Sequence, residues 1–291
     1  MRIAITGAQG QLGGELCRQL GAAAIPLDLP EFDLTRPATV RRALRRVRPD
    51  AVINAAAYTL VDKAEQEPAL CKAINADGVA PLADYCAESG AALVQISTDY
   101  VFGHVVKKIP LRETDEPSAR GVYATTKRLG ELAAMACPRH FVVRTCGLYG
   151  EPGVRSAGNF VATMLRLAEQ GRRLRVVADQ HCQPTYVPHL ARAIGFLLTT
   201  AEHGVYHVTN SGQTTWHGFA EAILRAAGIA AAIEPITTAQ YGAAAPRPAY
   251  SVLDTSRYHA LPGRPAMPAW ESALAEHLDR IRRPAILPRV A

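Results

Sequence analysis

A short apolar run from Arg2 to Thr6 ends at a glycine-rich turn, and apolar positions then recur at helical spacing from Gln11 to Leu20. The same alternation of strand and helix continues through the first half. Ala23 to Leu27 predicts a second strand, followed by a loop through Asp33-Leu34-Thr35-Arg36-Pro37. Thr39 to Val47 reads as a helix, with Thr39 or Pro37 near its start. Ala51 to Asn54 is a buried strand leading into Ala55-Ala56-Ala57-Tyr58-Thr59, and a longer helix is expected over Cys71 to Ser89. Ala92 to Ser97 and His140 to Arg144 are further strands, on either side of a helix that contains Tyr123 to Lys127. Such alternation predicts a parallel sheet covered by helices on both faces.

Beyond residue 150 the rhythm loosens and proline and glycine become more frequent. Phe160 to Gln170 predicts a helix, Val205 to Val208 a short strand, and Thr215 to Ala226 a helix capped by Thr214 or Thr215. Another helix lies within Pro268 to Arg282. The expected architecture is α/β: a Rossmann-like doubly wound parallel sheet with a smaller, discontinuous C-terminal lobe. Residues 1–150 form the dinucleotide-binding core in this reading, and residues 151–291 mainly the substrate lobe, partly returning to the core. The ligand cleft belongs between them, at the carboxyl ends of the strands.

Composition narrows the class. The 291 residues are 48% hydrophobic and 20% charged, an ordinary globular balance. No apolar run approaches the roughly 18–20 residues of a membrane span, and the stretch before the first glycines is too short for a signal peptide. A cytoplasmic protein without membrane contact is expected. The net charge of +6 comes from dispersed arginines without interleaved aromatics, which argues against nucleic acid and suits an anionic small ligand. Six cysteines are scattered with no CxxC pair, so buried reduced thiols are expected. His181-Cys182 lacks the further ligands of a metal site, and no metal is expected.

Three motifs carry chemistry. Gly7, Gly10 and Gly13 sit where the first strand becomes a helix. A tight turn, close approach to a pyrophosphate and close helix–strand packing each require a missing side chain there. The helix N-terminus offers N–H groups to phosphates, flanked by Gln11 and Leu12. Asp28, ending the second strand, can accept hydrogen bonds from an adenosine ribose, which suggests NADH; Arg36 and Arg41 keep NADPH open. Asp33 and Leu34 read as the adenine contact, and Ala55, Ala56 and Ala57 as bare backbone under a sugar–phosphate. In Ser97-Thr98-Asp99-Tyr100, Thr98 is placed to polarise a carbonyl, while Asp99 either takes a sugar hydroxyl or caps a turn. Tyr123 and Lys127 share one helix face. The lysine can lower the phenol's pKa and hold the nicotinamide ribose while Tyr123 donates a proton.

Together these residues resemble the dTDP-4-dehydrorhamnose reductase family of extended short-chain dehydrogenase/reductases, over essentially the whole chain. The specific marks are Asn54 to Thr59 with Val61 to Glu65, Ser97 to Phe102, Tyr123/Lys127 with Gly130-Glu131, and Arg144-Thr145 with Leu148-Tyr149-Gly150. Gly158-Asn159-Phe160, Asp179-Gln180 with Pro184-Thr185, Thr214 to His217, and Arg247-Pro248 with Ser251 complete them. The resemblance implies reduction of a dTDP-4-keto-6-deoxysugar by NADPH or NADH. Tyr123 would donate the proton and Lys127 bind cofactor, while Thr98, Asp99, Tyr123, Gly147 and Arg247 would stand on the substrate side. It also implies a nucleotide-sugar substrate and a homodimer. Two departures stand out: Gly147 occupies a position where the family often has tryptophan, and the tail from Pro284 to Ala291 has no acidic residue for a magnesium-linked contact. The first leaves open another dTDP- or UDP-deoxysugar. A non-catalytic NAD(P)-binding regulatory subunit, as some relatives of this family are, is the reading from another class; the intact Tyr123/Lys127 pair argues against it.

Overall fold

Strands that are apolar on both faces must be covered on both, and the first half of this chain supplies them. The computed structural model describes residues 1–104, 108–155 and 158–282; the tail singled out above, 284–291, lies outside them. Six strands form one sheet: β1 (Ile3–Thr6), β2 (Ala24–Leu27), β3 (Ala51–Asn54), β4 (Ala92–Thr98), β5 (His140–Thr145) and β6 (Gly204–His207). Their order is β6-β5-β4-β3-β1-β2, with every neighbouring pair parallel. Chain direction across the sheet reverses at β1 and β3, the place where an open sheet of this kind leaves a crevice beyond its carboxyl ends.

One face buries Ile3, Ile5, Ile53, Val94 and Val143 under α1 (Gln11–Leu20) and a helix from the second half, Val187–Leu197. The other buries Ala4, Val52, Leu93 and Val142 under the helices Pro37–Val47, Ala80–Ser89 and Gly121–Met135. A third core joins the helices Phe160–Glu169, Trp216–Ala227 and Trp270–Arg282 through Met164, Phe219, Ile223, Trp270 and Leu274. Thr215 caps the middle one of these, accepting from Gly218 N–H at 3.0 Å. No helix among the described residues is long and apolar enough to cross a membrane. The cysteines are free thiols, and all but Cys17 are buried.

The expected helix over Cys71 to Ser89 is interrupted. It is split into Pro68–Asn75 and Ala80–Ser89 by a 3-10 turn, Asp77–Val79. The Asn75 amide is drawn to the Tyr58 backbone, accepting from its N–H at 2.8 Å and donating to its carbonyl at 3.0 Å. Pro81 then enters the first turn of the second helix, where its missing N–H costs nothing. The helix Val187–Leu197 had no counterpart in the sequence reading. Eight of its eleven residues are buried, and Pro188 near its start and Gly195 within it read as turn signals along the sequence. The strands Leu174–Val177 and Ile233–Ile236, paired in parallel, were missed as well.

Adjacent glycines on α1 predict opposite outcomes. A Cβ at Gly13 would stand 2.0 Å from the Gly7 carbonyl oxygen, whereas one at Gly14 meets Ala8 O at an ordinary 3.5 Å. Gly13→Ala is expected to destabilise by about 2 kcal/mol or more, and Gly14→Ala to be neutral or stabilising by up to ~1 kcal/mol through helix propensity. Denaturant melts of the two variants check this.

Candidate active site

The carboxyl ends of β1, β3, β4 and β5 open into a cavity of about 780 Å³. Gly7, Gly10, Gln11, Leu12, Asp28, Asp33, Leu34, Ala55, Ala56, Ala57, Thr98, Asp99, Tyr123, Lys127 and Gly147 all line it. Two expected residues do not. Gly13 packs against the Gly7 backbone beneath the turn. Arg247 is held away from the wall by Asp62, at 2.8 and 3.0 Å, and by the Ala245 carbonyl at 3.1 Å.

Backbone proximity builds the dinucleotide end. Gly7 adopts φ +64°, and a Cβ there would come within 2.8 Å of the Ala56 backbone, so the β1 and β3 ends touch. Thr6 Oγ1 donates to Asn54 Oδ1 at 2.5 Å, and Asn54 Nδ2 to Gln95 Oε1 at 2.7 Å, locking three strand ends together. Gln11 Nε2 is buried with no hydrogen-bond partner among the described residues, beside the helix N-terminus. An anion there would satisfy both, which fits a pyrophosphate. Asp28 accepts Gln9 N–H at 2.7 Å and Leu29 N–H at 2.8 Å, so its carboxylate also braces the turn. Asp33 plays a similar local part, accepting from Thr35 N–H and Oγ1.

Further along the cavity, the helix Gly121–Met135 presents Tyr123 and Lys127. Lys127 Nζ donates to Ile96 O at 2.6 Å, and burial lowers its pKa to about 8. Burial pushes the Tyr123 phenol well up, Asp99 adds to the rise, and the neighbouring Thr98 hydroxyl opposes it. The expected lowering of the phenol by Lys127 is outweighed here by burial, and the ammonium gives one of its three N–H groups to the Ile96 carbonyl. Tyr100 packs edge-on to Tyr123, with ring centroids 5.9 Å apart. Thr98 Oγ1 donates to Asp99 Oδ1 at 3.1 Å and accepts Tyr100 N–H at 3.2 Å, so it also caps the following turn. Burial raises the Asp99 carboxyl, against contacts from Ser251, Cys146 and Thr98. Asp99 Oδ2 and Thr145 Oγ1, both on the cavity wall, lack partners among the described residues.

Sequence reasoning assigned no site role to Trp216 and Arg155, both of which line the cavity. Trp216 opens the helix Trp216–Ala227 and packs against Phe160 at 4.9 Å. It also answers what stands beside Gly147. That glycine has φ +54°, and a Cβ on it would lie 3.3 Å from Trp216 Cη2. An indole from another element therefore fills the space next to it. The signal was the Thr214-Thr215-Trp216 cap, an aromatic at a helix start; for Arg155, in a loop without periodicity, no signal existed.

A buried lysine with a depressed pKa penalises folding while it is charged. Below pH 8 both states are protonated and the full penalty applies; between about 8 and 10.5 the folded state releases its proton first, so the penalty fades. Lys127→Met is expected to raise Tm at pH 7, with the gain shrinking toward pH 10. Scanning calorimetry at the two pH values checks it.

Comparison with known proteins agrees with this geometry. The model of the RmlD substrate binding domain matches residues 1–283. A dTDP-4-dehydrorhamnose reductase of Streptomyces griseus is 42% identical, with 98% of this chain and 97% of that protein covered. The spore coat polysaccharide biosynthesis protein SpsK of Bacillus subtilis is 41% identical over 96% and 97%. The crystal structure of dTDP-4-dehydrorhamnose reductase from Bacillus anthracis in complex with NADP superposes with TM-score 0.90 at 38% identity, covering 96% of this chain and 99% of that one. Matched over nearly its whole length in sequence and in fold, the chain belongs to the RmlD substrate binding domain family.

Proposed function

We propose that this chain reduces the 4-keto group of dTDP-4-dehydro-6-deoxy-L-mannose to give dTDP-L-rhamnose, with NADPH or NADH as reductant. The observation that carries the reading is the meeting of Tyr123, Lys127 and Thr98 at one end of a cavity whose other end has the fit of a dinucleotide site. The nicotinamide supplies the hydride when it is bound. Tyr123 supplies the proton: a phenol raised by burial is fully protonated at neutral pH, the state a donor needs. Thr98, by turning its one hydroxyl proton away from Asp99 Oδ1, donates toward the same substrate oxygen as it gains charge. Lys127, held against the Ile96 carbonyl, keeps N–H donors for a ribose hydroxyl and places a positive charge near the tyrosinate left after proton transfer. Asp99 and Thr145 offer their unpartnered oxygens to sugar hydroxyls. Trp216 provides the apolar wall beside Gly147. The setting of this reading is a homodimer in the cytoplasm.

A second reading is reduction of another nucleotide-activated 4-keto deoxysugar. It is favoured by the wall at Gly147, which is built from a different element than a residue at that position would provide.

Purified protein is expected to consume NADPH when given dTDP-4-dehydrorhamnose, followed by absorbance. Tyr123→Phe should slow turnover by about 10²–10⁴-fold with cofactor binding intact; unchanged turnover would remove Tyr123 as donor. Cofactor binding without turnover on any keto-sugar would instead identify a regulatory subunit. Trp216→Ala should raise KM for the nucleotide sugar by about tenfold, as expected for loss of a buried aromatic contact, while NADPH affinity is unchanged.

A further inference from the structure

The adenosine end of the cavity contains a cation that comes from outside the first five strands. Arg155 stands in the segment between β5 and the helix Phe160–Glu169, and that segment lies across the glycine-rich turn. Arg155 N–H donates to Gln9 O at 3.1 Å, and a Cβ on Gly153 would come within 2.5 Å of that same carbonyl oxygen. The guanidinium then reaches over the turn. Nε donates to Gln9 Oε1 at 2.8 Å and Nη2 to Leu29 O at 3.4 Å. Gln9 and Leu29 are the same two residues whose N–H groups Asp28 holds. Arg155 and Asp28 thus share one small patch of the cavity wall, at the end of β2 where an adenosine ribose is received.

We propose that Arg155 binds the 2′-phosphate of NADP(H), so that this chain prefers the phosphorylated cofactor despite the carboxylate of Asp28. The assignment rests on the dinucleotide reading of the cavity. A guanidinium has five donors in a planar fork; the two side-chain bonds it makes to described residues set its plane, and a phosphate is the ligand that fork matches. Asp28 repels a 2′-phosphate less than a free carboxylate would, because both its oxygens already accept backbone N–H groups. The arginines nearer in sequence are engaged elsewhere: Arg36 is 3.4 Å from Asp33 and largely exposed, and Arg41 is 3.7 Å from Asp84. Neither lines the cavity.

Titration calorimetry with adenosine 2′,5′-bisphosphate and with adenosine 5′-monophosphate, which differ only by the 2′-phosphate, tests this without turnover. Wild-type protein should bind the 2′-phosphorylated ligand about tenfold more tightly, the worth of one charge-assisted contact. Arg155→Ala should lose that preference while affinity for adenosine 5′-monophosphate stays within about twofold, and Arg155→Lys should keep part of it as a point charge. Equal wild-type affinity for the two ligands, or an equal loss of both in Arg155→Ala, overturns the assignment and leaves the cavity reading standing. Failure of wild-type protein to bind either ligand overturns the cavity reading itself, and the assignment with it.

Discussion

The position of the proton-transfer residues depends on one buried ion pair. Glu131, fully buried, accepts from Arg144 Nε at 2.8 Å and Nη2 at 2.9 Å, and takes a third bond from Ser97 Oγ at 2.6 Å. These three residues lie on the helix Gly121–Met135, on β5 and on β4, so the pair pins the helix that carries Tyr123 and Lys127 to the strand that carries Thr98. A buried pair contributes little net stability once its desolvation is counted, but removing Glu131 leaves Arg144 a lone charge in the core, and removing Arg144 leaves Glu131 with only the partly exposed Arg128, 2.8 Å away, as counter-ion. Its value here is geometric. The bidentate fork admits one orientation of helix on sheet, with Arg144 also seated over the Phe102 ring at 5.0 Å. The neighbouring His207 is driven in the same direction by burial and by this cation, down to about 3, and stays neutral.

A separate line of polar contacts runs into the cavity. Thr6, Asn54 and Gln95 bridge the ends of β1, β3 and β4, and Gln95 Nε2 donates to the Ile96 carbonyl, the same oxygen that holds Lys127. The lysine is thereby fixed at the cost of its own solvation, and the tyrosine beside it is kept protonated by the same dryness. Only the lysine's perturbation reduces stability at neutral pH, since the phenol is uncharged in both the folded and the unfolded chain; a lowered lysine beside a raised tyrosine in one cavity is the usual sign of a functional site.

The second half of the chain helps build both the sheet and the cavity wall. It adds β6 to the sheet, covers one face with the helix Val187–Leu197, and sends Trp216 and Arg155 to opposite ends of the cavity. The first of these sits beside Gly147, the second beside Asp28. Each lies next to the position where the sequence alone left identity open, sugar in one case and cofactor in the other.

How much could be read without coordinates follows from how each feature is encoded. Strand–helix alternation, the Gly7 turn and the Tyr123/Lys127 pair are local: periodicity, missing side chains and a one-turn spacing are all written within a few consecutive residues. Together with the short apolar run at Val205 to Val208 they placed all six sheet strands, and nearly every expected site residue lines the cavity. The helix Val187–Leu197 was missed because Pro188 and Gly195 look like breakers in sequence, while burial against the sheet holds the helix together in the fold. The break between Asn75 and Ala80 depends on an amide that finds its partner in Tyr58, distant in the chain. The ion pair of Arg247 with Asp62 joins residues far apart in the chain and could not be read from either segment. Trp216 and Arg155 joined the site only through packing between residues separated by most of a domain. Sequence by itself determined the chemistry, because its groups are neighbours along the chain; tertiary structure decided which walls face that chemistry, because those contacts exist only once distant segments are folded together.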